Sequence, residues 1–313
     1  MKDQGLSVSL VRISGLRAMP ASGSGCFFSG VSRPGLEIES LDICAGHCYA
    51  VIGKSGAGKS ILNSLLVGYP AFACAAGASS GEGCWWGRVS LSAKTLGSRF
   101  RMRRWRRISK RFGSILYLPQ QLPDGIDYSM SADVYLRHVY AALCDECGIG
   151  AVNSIDYADL GELTTKLGQP VNRLSGGERR RLELWIRLKA LACRTSIQSK
   201  PALLILDEPT TGLDLTEERR YLKMLHERLL GTQGVAAVVT THALHLLDES
   251  ADVAVESGNV ASRPFFDHVI VVHKKVLSAS SCICRVSTAF EIGALKRRID
   301  GHWEDFLGDS FDV

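Results

Sequence analysis

Short apolar runs recur along the chain at wide intervals, and each gives way to a polar or glycine-rich turn. Residues 48–52, 114–118, 201–206 and 235–239 are the clearest of them. Runs of this length without alternation predict strands buried on both faces. Between them the apolar spacing turns helical: Ile61 to Leu66, then 131–143 (Val134, Leu136, Val139, Tyr140, Leu143) capped near Ser131, then Arg179 to Ala192, then 216–230. Leu160, Leu163 and Leu167 continue the helical pattern. The N-terminal part reads differently. Residues 6–16 and Leu36 to Ile43 alternate in part, as half-buried strands do, and 18–35 is a Gly/Ser/Pro-rich loop. Residues 71–97 give neither a clear helix nor a clear strand. Beyond 250, strand-like stretches at 252–260 and 266–275 precede a helix with Ile292, Leu295, Ile299, Trp303 and Phe306 on one stripe. That stripe is expected to pack back on the domain rather than serve a partner. Strands separated by helices predict an α/β fold with a largely parallel sheet, whose ligands bind beyond the carboxyl ends of the strands. Gly53, Asp207 and His242 all fall at such ends.

The first of those ends carries recognisable chemistry. Gly53-Lys54-Ser55-Gly56-Ala57-Gly58-Lys59-Ser60 fits G-x-x-x-x-G-K-[ST], the phosphate-binding loop of nucleoside triphosphatases, between a strand and a helix. Its glycines let backbone N–H groups turn inward onto phosphate oxygens. Lys59 reaches the β- and γ-phosphates, the Ser60 hydroxyl helps hold Mg²⁺, and the helix directs its positive end at the anion.

Composition narrows the class. The chain of 313 residues is 46% apolar and 22% charged, as soluble proteins are, with room for one large domain or two ordinary ones. No run of about 18 uninterrupted apolar residues predicts a bilayer span, and no apolar signal core follows Met1, so a cytoplasmic location is expected. Of the ten cysteines, Cys144/Cys147 and Cys282/Cys284 are closely spaced, yet neither pair has a second pair at zinc-site spacing. Reduced, mostly buried thiols are expected. The net charge of +5 is uneven: Arg99 to Arg111 holds seven Arg and one Lys, while five acids lie from Asp300 onward. The basic run reads as a solvated face, a contact for anionic lipid or an acidic partner, or a nucleic-acid surface. Few aromatics interleave with its arginines, which argues against nucleic acid.

Taken in order, the motifs resemble the ATP-binding cassette (ABC) ATPases over roughly residues 6–260. The segment Leu174-Ser175-Gly176-Gly177-Glu178 looks like the family's signature loop, and Leu203 to Glu208 looks like its Walker B strand. The resemblance implies a P-loop NTPase with a RecA-like core, an antiparallel β-subdomain and an α-helical signature subdomain at about 122–185. It implies ATP and Mg²⁺ as ligands, with Asp207 positioning the metal and Glu208 orienting or deprotonating the attacking water. Thr211-Gly212-Leu213-Asp214 is similar to the D-loop, and His242 to the switch histidine that contacts the γ-phosphate. Gln120 fits the Q-loop glutamine, a further link to Mg²⁺; Gln121 is the adjacent alternative, and Gln120 is preferred because it directly follows the strand. Phe28, with Phe27 as competitor, stands at about the right distance to stack on adenine.

Two departures stand out. Ser175 and Asp207 are 32 residues apart, longer than the family leads one to expect, and the excess around Cys193 to Lys200 reads as a surface loop. The segment 71–111 is also long. The expected organisation is an ATPase domain over 1–262 and a C-terminal strand-and-helix extension over 263–313. In such ATPases two cassettes close head to tail, so a second ABC subunit (an identical chain or a paralogue) and an integral-membrane permease are the implied partners. The chain would then sit peripherally on the inner face of the membrane. The rival reading is a soluble ABC protein that uses ATP closure as a clamp in DNA repair, translation or cofactor assembly. A third reading, a regulator that binds ATP with little turnover, is opposed by the intact acid pair and His242.

Overall fold

The computed structural model describes residues 9–19, 35–67, 84–91, 94–96, 99–101, 114–120, 128–145, 155–198, 202–230, 234–254, 260–278, 281–298 and 303. Phe27, Phe28, Gln121, residues 102–111 of the basic run, Ile299 and Phe306 lie outside them.

The strands are β1 (Ser9–Met19), β2 (Gly35–Cys44), β3 (Cys48–Ile52), β4 (Cys84–Leu91), β5 (Lys94–Leu96), β6 (Arg99–Arg101), β7 (Ser114–Leu118), β8 (Ala202–Asp207), β9 (Val235–Thr240), β10 (Ser250–Ala254), β11 (Val260–Pro264), β12 (His268–Ser278) and β13 (Ser281–Glu291). The helices are α1 (Lys59–Val67), α2 (Ala132–Asp145), α3 (Gly176–Gln198), α4 (Leu215–Leu230) and α5 (Ile292–Arg298).

Among the described residues eleven strands form one sheet in the order β5-β4-β1-β2-β13-β12-β3-β9-β8-β7, with β6 on β4. Strands β7, β8, β9, β3 and β12 run parallel; β2, β1, β4, β5 and β6 form an antiparallel wing. The apolar runs explain the parallel part, because every residue of β3, β8 and β9 is buried. Their side chains alternate between two cores, as a strand's period of two requires. Cys48, Ala50, Ile52, Leu204, Leu206, Ala237 and Val239 face the core that includes α2, α3 and α4, while Tyr49, Val51, Leu203, Ile205 and Val238 face the one with α1 and the β-wing.

Several expectations change. Segment 71–97 contributes β4 and β5, and β1 runs on to Met19, into the stretch read as a loop. Strand β4 pairs with β1, some seventy residues earlier, so its cue is a cross-strand partner and not a local pattern. Around Leu160 the chain makes 3₁₀ turns over Ala158–Lys166 in place of an α-helix, since Gly161 breaks the run at φ 67° and ψ −138°. The Thr164 and Thr165 hydroxyls then bond back to the carbonyls of Gly161 and Glu162. The surface loop expected from Cys193 is instead the end of α3, helical to Gln198.

Strands β12 and β13 are built into the sheet. Strand β12 pairs in parallel with β3 and β13 in parallel with β2, so this hairpin joins the two halves of the sheet. The earlier hairpin, β10–β11, forms a separate two-stranded sheet. Beyond β13, Ile292, Leu295 and Trp303 are buried in the larger core, and Trp303 Nε1 donates to Asp248 at 3.2 Å. Replacing this anchor should be costly. Trp303→Ala is expected to lower unfolding free energy by about 3 kcal/mol, the usual cost of emptying a buried aromatic site, read from urea denaturation.

Candidate active site

The site forms where the carboxyl ends of β3, β7, β8 and β9 lie side by side. Register sets this: Val51 is opposite Thr240, Thr240 opposite Asp207, and Leu206 opposite Leu118. The next few residues of each strand therefore converge from four distant points in the chain.

From β3 comes the phosphate loop. The Ala57 N–H donates to the Lys54 carbonyl at 3.0 Å, and α1 starts as the Ile61 and Leu62 N–H groups reach the Gly58 carbonyl. Lys54, Ser55 and Gly56 are exposed, while Gly53 and Ala57 are buried. Two glycines are required by close approach. A Cβ at Gly53 would run into the Val272 carbonyl of β12, and one at Gly58 (φ 107°) into the Cys284 side chain of β13. Lys59 is only 5% exposed; its ammonium donates to the Gly53 carbonyl at 2.8 Å and the Lys54 carbonyl at 3.3 Å. Burial pulls its pKa below the usual lysine range, against the pull of Glu208 and Asp207 in the other direction.

From β8 come the two acids. Asp207 is 5% exposed, and its Oδ2 accepts from the Tyr117 hydroxyl at 3.2 Å, while buried Oδ1 has no protein partner. Burial pushes this carboxyl above the ordinary range, the hydrogen bond from Tyr117 opposes, and the charge of Glu208 raises it further. The nearby Ser60 and Asn63 side chains lower it. An orphaned carboxylate oxygen beside a serine hydroxyl is a donor set for a hard cation. Among the described residues no cluster of three or more His, Cys, Asp or Glu could hold a metal. Mg²⁺ bound through one or two protein oxygens and its substrate's phosphates needs no such cage.

Glu208 is the one non-glycine residue among those described with positive φ, at 46°. Such a backbone costs of order 1–3 kcal/mol and persists only where the surroundings over-determine it. They do so here. The Glu208 N–H donates to the Thr240 carbonyl at 3.1 Å, Gln120 Nε2 donates to Oε2 at 2.6 Å, and Thr211 Oγ1 to Oε2 at 3.3 Å. His242 Nε2 stands 2.9 Å from Oε1. Three motif residues expected separately, Gln120, Glu208 and His242, thus meet at one carboxylate.

No hydrogen bond or ion pair among the described residues links Ser175–Glu178 to Gly53–Ser60. Ser175 and Gly176 are exposed. Ser175 and Glu178 form a capping box at the start of α3. The Glu178 N–H donates to Ser175 Oγ at 3.2 Å, and the Ser175 N–H to Glu178 Oε2 at 3.0 Å. Glu178 was expected among the nucleotide-contacting residues; its carboxylate is engaged by this cap and by an ion pair to Lys166. Gly177 packs against Leu213 and Glu217, and Asp214 caps α4 by accepting from the Glu217 N–H at 2.9 Å.

Several supporting residues escaped the sequence reading. Asn63 is fully buried and donates to Thr240 Oγ1 at 2.7 Å, joining α1 to β9. Arg180 and Arg187 of α3 donate to the carbonyls of Pro119 and Tyr117. For Asn63 the available signal is a polar residue within an apolar helical face; the arginines look like surface charge until α3 is packed on β7.

Fold and site define a P-loop nucleoside triphosphatase. The family model described as ABC transporter matches residues 36–211, and the chain belongs to that family. It is therefore an ATP-binding, ATP-hydrolysing cassette. It is 28% identical over 232 residues to a hemin import ATP-binding protein of Rhodococcus jostii, covering 74% of this chain and 69% of that one. It is 31% identical over 209 residues to a vitamin B12 import ATP-binding protein of Salmonella heidelberg, covering 66% of this chain and 70% of that one. Among solved structures, the ADP conformation of an ATP-binding cassette of an ABC transporter shares the fold, with a TM-score of 0.54 at 15% identity over 96% of this chain and 99% of that one.

The fit at Gly58 is directly testable. Gly58→Ala combines an unfavourable φ with a clash on Cys284, and is expected to weaken ATP binding at least about tenfold by calorimetry. Adding Cys284→Gly should recover part of that loss, leaving the contribution of backbone strain.

Proposed function

We propose that this chain is the ATP-hydrolysing subunit of a transporter whose membrane-crossing part is a separate permease. The observation that carries the catalytic assignment is the convergence of Gln120 and His242 on Glu208, next to a complete phosphate loop. The transport assignment is supported by the import ATP-binding proteins it is similar to. No helix among the described residues is long and apolar enough to cross a membrane. Membrane attachment would therefore come through a permease, with the chain peripheral on the inner face.

In this reading Gly53 to Ser60 cradle the phosphates of ATP, and Lys59 leaves its present carbonyl partners for the β- and γ-oxygens. Asp207 and Ser60, with Gln120, are the residues that would hold Mg²⁺, which when bound neutralises charge developing on the phosphates. Glu208 accepts a proton from, or orients, the water that attacks the γ-phosphorus in line, and His242 contacts the γ-phosphate. Ser175 and Gly176 are exposed, and Gly177 follows them at the start of α3. They complete the site of a second cassette, identical or paralogous, when the two close head to tail. Phe28 remains the proposed adenine-stacking residue.

Glu208→Gln is expected to bind ATP, to lose at least about a hundredfold in turnover, and to accumulate as an ATP-dependent dimer on size-exclusion chromatography. Wild-type turnover in that variant would remove Glu208 from the catalytic role. Asp207→Asn should abolish the additional thermal stabilisation that Mg²⁺ gives to the ATP-bound chain. Solubilised membranes should yield the chain with a multispanning partner; its repeated absence would favour a soluble clamp.

A further inference from the structure

The signature position usually thought of as an anion-binding loop carries a carboxylate here. Glu178 lies in the first turn of α3, two residues from Gly176, and its Oε2 accepts from the Ser175 N–H at 3.0 Å. The cap stabilises α3, since an acid in the first turn suits the helix dipole. For an incoming triphosphate the same charge is a liability, because like charges brought together with little water between them repel.

The structure contains a compensating device. Lys166, the last residue of the 3₁₀ segment Ala158–Lys166, pairs through Nζ with Glu178 Oε1. The hydrogen bond from Lys166 is the leading reason the Glu178 carboxyl sits below its ordinary pKa, against the opposing effect of burial. Lys166 is delivered by a well-anchored frame. Leu160 and Leu163 are buried in the core, and the Asp133 and Ala132 N–H groups at the start of α2 bond to the Leu167 and Gln169 carbonyls. Two of the neighbouring cations have other engagements. Arg179 lies over the Tyr128 ring and reaches the Asn172 carbonyl, and Arg181 contacts Glu162 and Glu217. The loop is open at Gly176, where a Cβ would meet nothing within 4 Å.

We propose that Lys166 is a positioning residue for the composite ATP site: it neutralises Glu178 so that the Ser175–Gly177 loop of one cassette can receive the triphosphate held by the other. The proposal rests on the head-to-tail reading above, and assigns the loop's affinity to a residue outside every recognised motif.

The test uses the full-length chain and compares Lys166→Gln, Lys166→Arg and Lys166→Gln/Glu178→Gln, glutamine being able to keep the cap. For Lys166→Gln the ATP concentration giving half-maximal hydrolysis should rise about tenfold, while kcat falls less than about threefold, the pattern of lost binding charge. Lys166→Arg should retain near wild-type behaviour. The double variant should return to within about threefold of wild type, because the uncompensated charge is gone. In the Glu208→Gln background, Lys166→Gln should shift ATP-dependent dimerisation to higher ATP. An unchanged half-maximal concentration in Lys166→Gln overturns the proposal. So does a double variant that remains impaired, whether or not Lys166→Gln alone folds. The two readings separate cleanly: if Glu208→Gln itself forms no ATP-dependent dimer, the composite site fails. If it dimerises and Lys166→Gln leaves its ATP dependence unmoved, only the role of Lys166 fails.

Discussion

Much of the site depends on how closely backbone approaches backbone beneath the phosphate loop. Val272 of β12 presents its carbonyl where a Gly53 side chain would be, and Cys284 of β13 fills the space a Gly58 side chain would need. The hairpin is thus a floor as well as a pair of strands. It joins β3 to β2, and so holds the antiparallel wing and the parallel core in one sheet. A loop this rich in glycine and small residues would be floppy on its own; laid on this floor its shape is set by exclusion. Lys59, with its ammonium on two loop carbonyls, closes the loop from the other side.

Next to that floor the protein keeps polar groups under tension. Asp207 is buried with one oxygen unpaired, and Glu208 holds a left-handed backbone. Both features cost stability; the cation proposed for Asp207 would give its unpaired oxygen a partner, while the strained Glu208 backbone is held by the hydrogen bonds around it. The bonds from Gln120, Thr211 and the Glu208 N–H hold the carboxylate at the mouth of the site. Arg180 and Arg187 extend that support, because they tie α3, whose first turn carries the proposed signature loop, to the backbone just before Gln120. Helix α3 and strand β7 are thereby joined by side-chain to main-chain bonds.

We read the proposed signature loop as a charge compromise. The capping box needs an acid or amide at position 178, and the helix dipole favours the acid; an arriving triphosphate does not. Lys166 reconciles the two from a 3₁₀ segment that owes its placement to Leu160 and Leu163 in the core.

The local chemistry was legible before any fold was known. A phosphate loop needs its glycines, lysine and serine in one short stretch, and β3, β8 and β9 announce themselves as apolar runs because parallel strands are buried on both faces. Gln120, Glu208 and His242 could each be assigned to a motif, but their meeting at one carboxylate follows from register between strands far apart in the chain. Tertiary structure alone decided the rest. Strand β4 needed β1 beside it, Gly161 turned a helical spacing into 3₁₀ turns, and β12 and β13 proved central to the sheet. Lys166 took its meaning from Glu178, twelve residues away. The physical reason is common to all of these. A motif is a short-range requirement of backbone and ligand, so one stretch of sequence can state it. Strand neighbours, buried charge partners and excluded volume are properties of residues that only folding brings together.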